Sequence, residues 1–331
     1  MKLMRDSSEN WQAVLVNGFS SAKLLLEYLH LPDHKFSTLA QKSFATRVPL
    51  HFASLMEKKN PQDPLLLQVL ASLEEEVLQE GYTDDPLLEK EYNKIPGLIH
   101  KYSSRVLLTI TGICAINCRY CFRREFPYQI NNPGRLGWQK AFDYIAENKN
   151  ISEVIFSGGD PLLAADSTLE YLFSKIASIS HVQILRIHTR VPVVLPERIG
   201  EKLLQIIANS HLRIVIVLHC NHPNEISPKL EEVCYNLRKI GCHLLNQTVL
   251  LKGVNTNSAT LINLSYRLFA INVLPYYLHL LDKTSGTGHF DIAEDDAKAI
   301  FREMQKNLPG YLLPRMVREE HGKTSKTQIL A

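Results

Sequence analysis

The chain has 331 residues, 45% of them hydrophobic, enough to bury one large core or two smaller ones. Its 37 basic and 34 acidic residues leave a formal charge of +3, which supports no global attraction to nucleic acid or to a membrane. The opening "MKLMRDSSENWQAVL" is too charged for a secretory signal, and no apolar run approaches the roughly 20 residues that span a bilayer, so a cytoplasmic protein with reduced thiols is expected.

Residues 1–98 read as a helical region. "DPLLLQVLASLEEEVLQEGY" places Asp63 at an N-cap and Pro64 at the first helical position, with Leu66, Val69, Leu70, Leu73 and Val77 at helical spacing and Gly81 as the stop. The Glu74, Glu75, Glu76 run is then its solvated face. "DPLLEKEY" at Asp85 repeats the capping logic.

From about residue 99 the texture changes to β-branched runs separated by helical segments: "RVLLTIT" from 105, "EVIFSGG" from 153, "VQILRIHT" from 182, "LRIVIVLH" from 212, "HLLNQTVLL" from 243 and "VLPYYLHLL" from 273. Runs this apolar read as strands buried on both faces, and alternation with helices predicts a parallel α/β sheet over 99–300, either an open doubly wound sheet or an incomplete barrel. Reactive groups then belong just past the strands' C-terminal ends. Residues 301–331 form a C-terminal segment.

Such a place is occupied by "TGICAINCRYCFRREFPY", where Cys114, Cys118 and Cys121 follow the first of these runs within eight residues. Reduced thiols at this density point to a shared metal. Structural zinc would need a fourth ligand, and Cys220, Cys234 and Cys242 lie about a hundred residues on, as small apolar residues of the core. Three ligands suit an iron–sulfur cube with one iron left free.

The spacing C-x3-C-x2-C, Tyr120 and the "SGGDP" that closes the second run together resemble the radical S-adenosylmethionine (SAM) superfamily. That resemblance implies a partial (β/α)6 barrel, a [4Fe–4S] cluster on Cys114, Cys118 and Cys121, and SAM on the free iron, with Gly158, Gly159 and Asp160 near the cofactor's methionine end. From about Arg47 onward, "RVLLTITGIC", "CFRREFPY", "RIHTRVPVVLPERI", "HCNHPNE", "NQTVLLKGVN" and "GHF" resemble, more closely, the lysine 2,3-aminomutase family. The short C-terminus, ending five residues past Lys326, resembles the bacterial branch that makes (R)-β-lysine for modification of elongation factor P. Catabolic lysine metabolism is the alternative role within the family, and a non-enzymatic iron–sulfur or zinc module the alternative outside it.

Family resemblance implies the remaining site. It adds pyridoxal 5′-phosphate (PLP) bound covalently to Lys326, in the position of a "GY…GGGGKT" lysine; here Gly322, Lys323, Thr324 and Ser325 replace the four glycines, which leaves Lys323 as the rival. Arg105 matches a phosphate-binding arginine, a role suited to a guanidinium fork. His219 and Gln247, at strand ends, match residues near the two cofactors. Arg123, with Arg124 as the neighbouring alternative, would hold the carboxylate of L-lysine. Asp282 and Glu319 would hold its distant ammonium, with Glu320 as the alternative to Glu319. The implied reaction moves the amino group of L-lysine from C2 to C3. It needs an external electron donor, and a downstream ligase and elongation factor P are the implied functional partners. No basic, aromatic-rich patch points to nucleic acid.

Overall fold

A computed structural model describes residues 10–131 and 134–331; the charged opening segment 1–9 lies outside the described residues. Ten strands form one sheet in chain order: β1 (Asn93–Ile95), β2 (Leu98–Tyr102), β3 (Arg105–Thr111), β4 (Glu153–Gly158), β5 (Ile184–Thr189), β6 (Arg213–His219), β7 (His243–Val249), β8 (Leu274–His279), β9 (Arg315–Arg318) and β10 (Thr327–Gln328). β3 to β9 run parallel, while β1–β2, β2–β3 and β9–β10 are antiparallel. Six helices, Gly134–Glu147, Asp166–Ala177, Glu201–Ala208, Pro228–Lys239, Ser258–Ala270 and Glu294–Asn307, follow β3 to β8 in turn. This is a partial (β/α)6 barrel, extended at one edge by a hairpin and at the other by the chain's tail.

Local chemistry sets the helix starts. Ser227 accepts from the Leu230 amide at 3.2 Å ahead of Pro228, and Asn257 accepts from the Ala259 amide at 2.8 Å. Strand alternation then sorts side chains between two sides. On β5, Leu185 and Ile187 are buried in the main core, whereas Arg186 and His188 line a cleft on the opposite side. A second core, with Leu278, Phe301, Met304, Leu312 and Met316, packs helix Glu294–Asn307 against β8 and β9, each such side chain contributing about 1.5–3 kcal/mol on burial. It therefore fixes the tail to the barrel. No helix among the described residues is long and apolar enough to cross a membrane.

All six expected strands form, to within a few residues at their ends. The helix expected from Pro64 to a stop at Gly81 does not. Asp63 caps it as read, through the Leu65 and Leu66 amides, but it ends at Leu67; Ser72 then starts a separate 3-10 turn, Leu73–Glu76, closed by a reciprocal Ser72–Glu75 cap. Leu73 and Val77 are 52% and 58% exposed. Glu75, expected on a solvated face, is buried against Arg119, whose Nε and Nη2 lie 2.7 and 2.5 Å from its two oxygens. Pairing a buried guanidinium outweighs helical periodicity here.

Candidate active site

Cys114, Cys118 and Cys121 sit on the loop after β3, at the wall of a cleft of about 300 Å³ at the C-terminal ends of the parallel strands. The loop is clamped from behind. Arg119, between the cysteines, turns away from the cleft to Glu75 and to the Phe44 and Ala40 carbonyls, and the Arg119 and Asn117 amides donate to Gln68 and Arg47 at 2.9 and 3.0 Å. Burial, then the neighbouring thiols, push Cys121 up to about 11 and Cys114 well above the usual thiol range. A positive centre bound between them would favour the thiolate form. Among the described residues no three His, Cys, Asp or Glu side chains are grouped closely enough to hold a single metal ion. A cube spreads its three thiolate ligands over three irons, and the donor set fits it.

Gly158 and Gly159 are placed against the cysteine loop. Gly158 has φ +120°, and a Cβ at Gly159 would stand 2.5 Å from the Ile113 carbonyl oxygen; the Gly159 and Asp160 amides donate to Thr111 and Ile113 at 2.7 and 2.8 Å. Both glycines line the cleft. Asp160 is buried with both oxygens filled, one by the Thr189 hydroxyl (2.7 Å) and the Leu162 amide (3.2 Å), the other by the Arg190 and Val191 amides (2.7 and 3.1 Å). Its carboxylate ties the end of β4 to the end of β5 and has no acceptor site left for a ligand.

The opposite wall comes from the chain's tail. The β9–β10 hairpin carries Glu319 and Lys326 into the cleft, where the Lys326 ammonium pairs with the Glu319 carboxylate and lies 5.8 Å from the Tyr277 ring centre. Lys323 is exposed in the turn of that hairpin. Glu319 also accepts from Lys101 Nζ at 2.6 Å and from the Tyr102 hydroxyl. Burial would raise its carboxyl, but Lys326 and the hydrogen bonds from Lys101, Lys326 and Tyr102 outweigh burial and hold it down at about 2. Glu320 is turned elsewhere, its carboxylate to the Thr327 hydroxyl and its carbonyl to Lys101. Asp282, just past β8, is half-buried and lines the cleft; burial pushes it up to about 7 against the pull of Lys326.

Between these walls stand the other expected residues. Arg105 lines the cleft with its guanidinium 4.3 Å from the Tyr102 ring centre and no hydrogen-bond partner among the described residues, a free fork of the kind that takes a phosphate. Arg123 also lines the cleft, its Nε and Nη2 on Glu89 at 2.7 and 2.5 Å and its Nη1 on Ser157 at 2.9 Å. Arg124 is spent on Glu75 instead. His219 and Gln247 are paired across β6 and β7, with His219 3.3 Å from the Tyr120 hydroxyl and lowered to about 3 by burial, then by Arg190.

Several cleft residues escaped the sequence reading. His188 and His279 are held neutral by burial, each with a buried Nε2 that has no partner, and Arg186 has a buried Nε in the same state. These orphaned polar atoms fit a bound polar group. Lys101, Tyr102, Tyr277 and Arg190 are further cleft residues. Alternation within the six runs was the available signal, since Arg186, His188, His219, Gln247, Tyr277 and His279 are polar residues at alternate positions in otherwise apolar strands.

The family model described as the radical SAM superfamily matches residues 108–264. The L-lysine 2,3-aminomutase of Haemophilus influenzae is 48% identical over 96% of this chain and 95% of its own length, and that of Escherichia coli K12 is 45% identical over 98% and 95%. The L-lysine 2,3-aminomutase of Clostridium subterminale is 34% identical over 99% of this chain and 80% of its own. At these levels of identity over nearly the whole length, the chain belongs to the lysine 2,3-aminomutase family of radical SAM enzymes.

Proposed function

We propose that the protein is a PLP-dependent L-lysine 2,3-aminomutase that makes (R)-β-lysine for the modification of elongation factor P. The observation that carries this reading is the single cleft with the thiol triplet on one wall and Lys326, Glu319 and Asp282 on the other. Bound there, the cluster, SAM and PLP supply hydrogen-atom abstraction beside a conjugated system through which an amino nitrogen can move between adjacent carbons.

The chain's own residues do the rest. Lys326 holds PLP covalently and Arg105 takes its phosphate. Once Lys326 is so engaged, Glu319 loses that partner and, with Asp282, has a carboxylate for the substrate ammonium; Arg123 keeps donors beyond those used by Glu89 and Ser157 for the substrate carboxylate. Charges at both ends select lysine over a shorter or neutral side chain. His188 and His279, neutral, can bond a ligand without adding charge that would compete with these pairs.

The elongation factor role is carried by resemblance to that bacterial branch alone, since the Haemophilus influenzae, Escherichia coli and Clostridium subterminale relatives, at 48%, 45% and 34% identity, are alike named L-lysine 2,3-aminomutase. On this reading a low-potential electron donor, a ligase and elongation factor P are the partners. Anaerobic incubation with L-lysine, SAM, PLP and a reductant, followed by mass spectrometry and chiral chromatography, should yield (R)-β-lysine. The S isomer would remove the elongation factor role, and unchanged lysine would remove the reading altogether.

A further inference from the structure

Arg190, the first residue after β5, is 5% exposed and lies beneath the cysteine loop. Its Nη1 donates to the Cys118 sulfur at 2.7 Å and to the Tyr120 hydroxyl at 2.7 Å. Its Nη2 donates to Gln68 Oε1 at 2.7 Å and to Glu225 Oε2 at 3.0 Å. At the other end of the residue, its amide is held by Asp160 at 2.7 Å, so both backbone and guanidinium are fixed. The acceptors are fixed in turn. Tyr120 also accepts from Asn221 Nδ2 at 2.7 Å, and the second oxygen of Glu225 takes the Asn221 and His222 amides at 3.0 Å and Gln68 Nε2 at 3.1 Å.

Among the described residues the Cys118 sulfur is the one thiol of the three that meets a cation at hydrogen-bond distance; Arg47 reaches Cys114 at its carbonyl oxygen, at 3.0 Å. Cys121 has the Arg123 backbone amide instead. Glu225 compensates the buried guanidinium on its Nη2 edge, leaving the Nη1 edge turned to the sulfur. Hydrogen bonds to ligand sulfurs, and the charge around them, are among the main determinants of an iron–sulfur reduction potential. One electron enters such a cluster without a proton, so the added negative charge must be met by fixed donors. A charge-assisted bond to a thiolate favours the reduced, more negative state.

We propose that Arg190 is a positioning residue for the cluster. It fixes the Cys118 thiolate and, by drawing charge from that sulfur, raises the cluster's reduction potential toward reach of the one-electron donor. The proposal rests on a cluster at Cys114, Cys118 and Cys121, which iron and sulfide content reports separately from the potential.

The test uses anaerobically reconstituted full-length protein without substrate. In an EPR-monitored redox titration, Arg190→Gln should lower the midpoint so that, at a fixed solution potential, the ratio of reduced to oxidised cluster falls about tenfold, or about 59 mV for one electron. Arg190→Lys, which keeps the charge and loses the fork, should fall between. Pulsed EPR of wild-type protein carrying guanidino-15N arginine should show a nitrogen coupling to the reduced cluster that persists in Arg123→Lys. A wild-type midpoint in a four-iron Arg190→Gln protein, or no such coupling in Arg123→Lys, overturns the proposal. If neither Arg190 variant holds four irons, the nitrogen coupling decides alone.

Discussion

Glu319 and Lys326 are joined carboxylate to ammonium across the β9–β10 hairpin, and the same carboxylate gathers Lys101 and Tyr102 from β2. One acid thus ties the tail to the opposite edge of the sheet. Glu319→Gln should leave iron content and PLP attachment in place while raising the barrier for L-lysine by about 2–5 kcal/mol in kcat/KM, the usual effect of removing one partner of a buried hydrogen-bonded charge pair. Unchanged kinetics would mean that the carboxylate serves the hairpin and not the substrate.

Asp282 gives a pH signature. Its carboxyl, ordinarily at 3.8, is pushed up to about 7 by burial, so the folded chain keeps a proton that the unfolded chain releases at lower pH. A raised folded value means the contribution to stability declines as pH rises from about 4 to about 7 and is level above that. Asp282→Asn removes the penalty. Thermal denaturation of the cofactor-free protein should show the variant more stable than wild type by about 1–4 kcal/mol at pH 8 and equal to it at pH 4. Equal stability at pH 8 would show the carboxyl to be ordinary.

Glu75→Gln strips the full charge from the buried partner of Arg119. Denaturant unfolding of the cofactor-free protein should be easier by about 3–5 kcal/mol, as for other broken buried pairs. A loss below about 1 kcal/mol would return Glu75 to the solvated-face reading.

Gly159→Ala tests the close approach of β4 to the cysteine loop. The added Cβ meets the Ile113 carbonyl oxygen at 2.5 Å and the Ile113 and Gly112 carbonyl carbons at 2.8 Å, backbone atoms that cannot swing aside as a side chain would. The loop must move, and reconstituted variant should hold less than half the iron of wild type at matched secondary structure by circular dichroism. Full loading would show the loop to be slack.

How far the fold was legible follows from how each element is encoded. The six parallel strands were legible because each is a β-branched run between helical segments, and the thiol triplet because three cysteines in eight residues have few other uses. β9 was not, because "RMVR" is four residues long with charged ends and gains strand character only by pairing with β8. The helix expected from Pro64 to Gly81 failed because Gln68 and Glu75 are drawn to Arg190 and Arg119, partners far along the chain. Arg190, just past β5, was passed over for the same reason, and His188 and His279 because reading the strands as uniformly apolar hides the alternate positions that face the cleft. Asp160 was legible as a site residue only by resemblance; its four protein partners reveal a tie between strands.

The account turns on Lys326 as the residue that brings PLP to the cleft shared with the three cysteines. Borohydride reduction of PLP-loaded protein followed by peptide mapping addresses this directly. The account predicts a phosphopyridoxyl label on Lys326 and none on the exposed Lys323 three residues earlier. Label on Lys323, on Lys101, or on no lysine of the chain would contradict it.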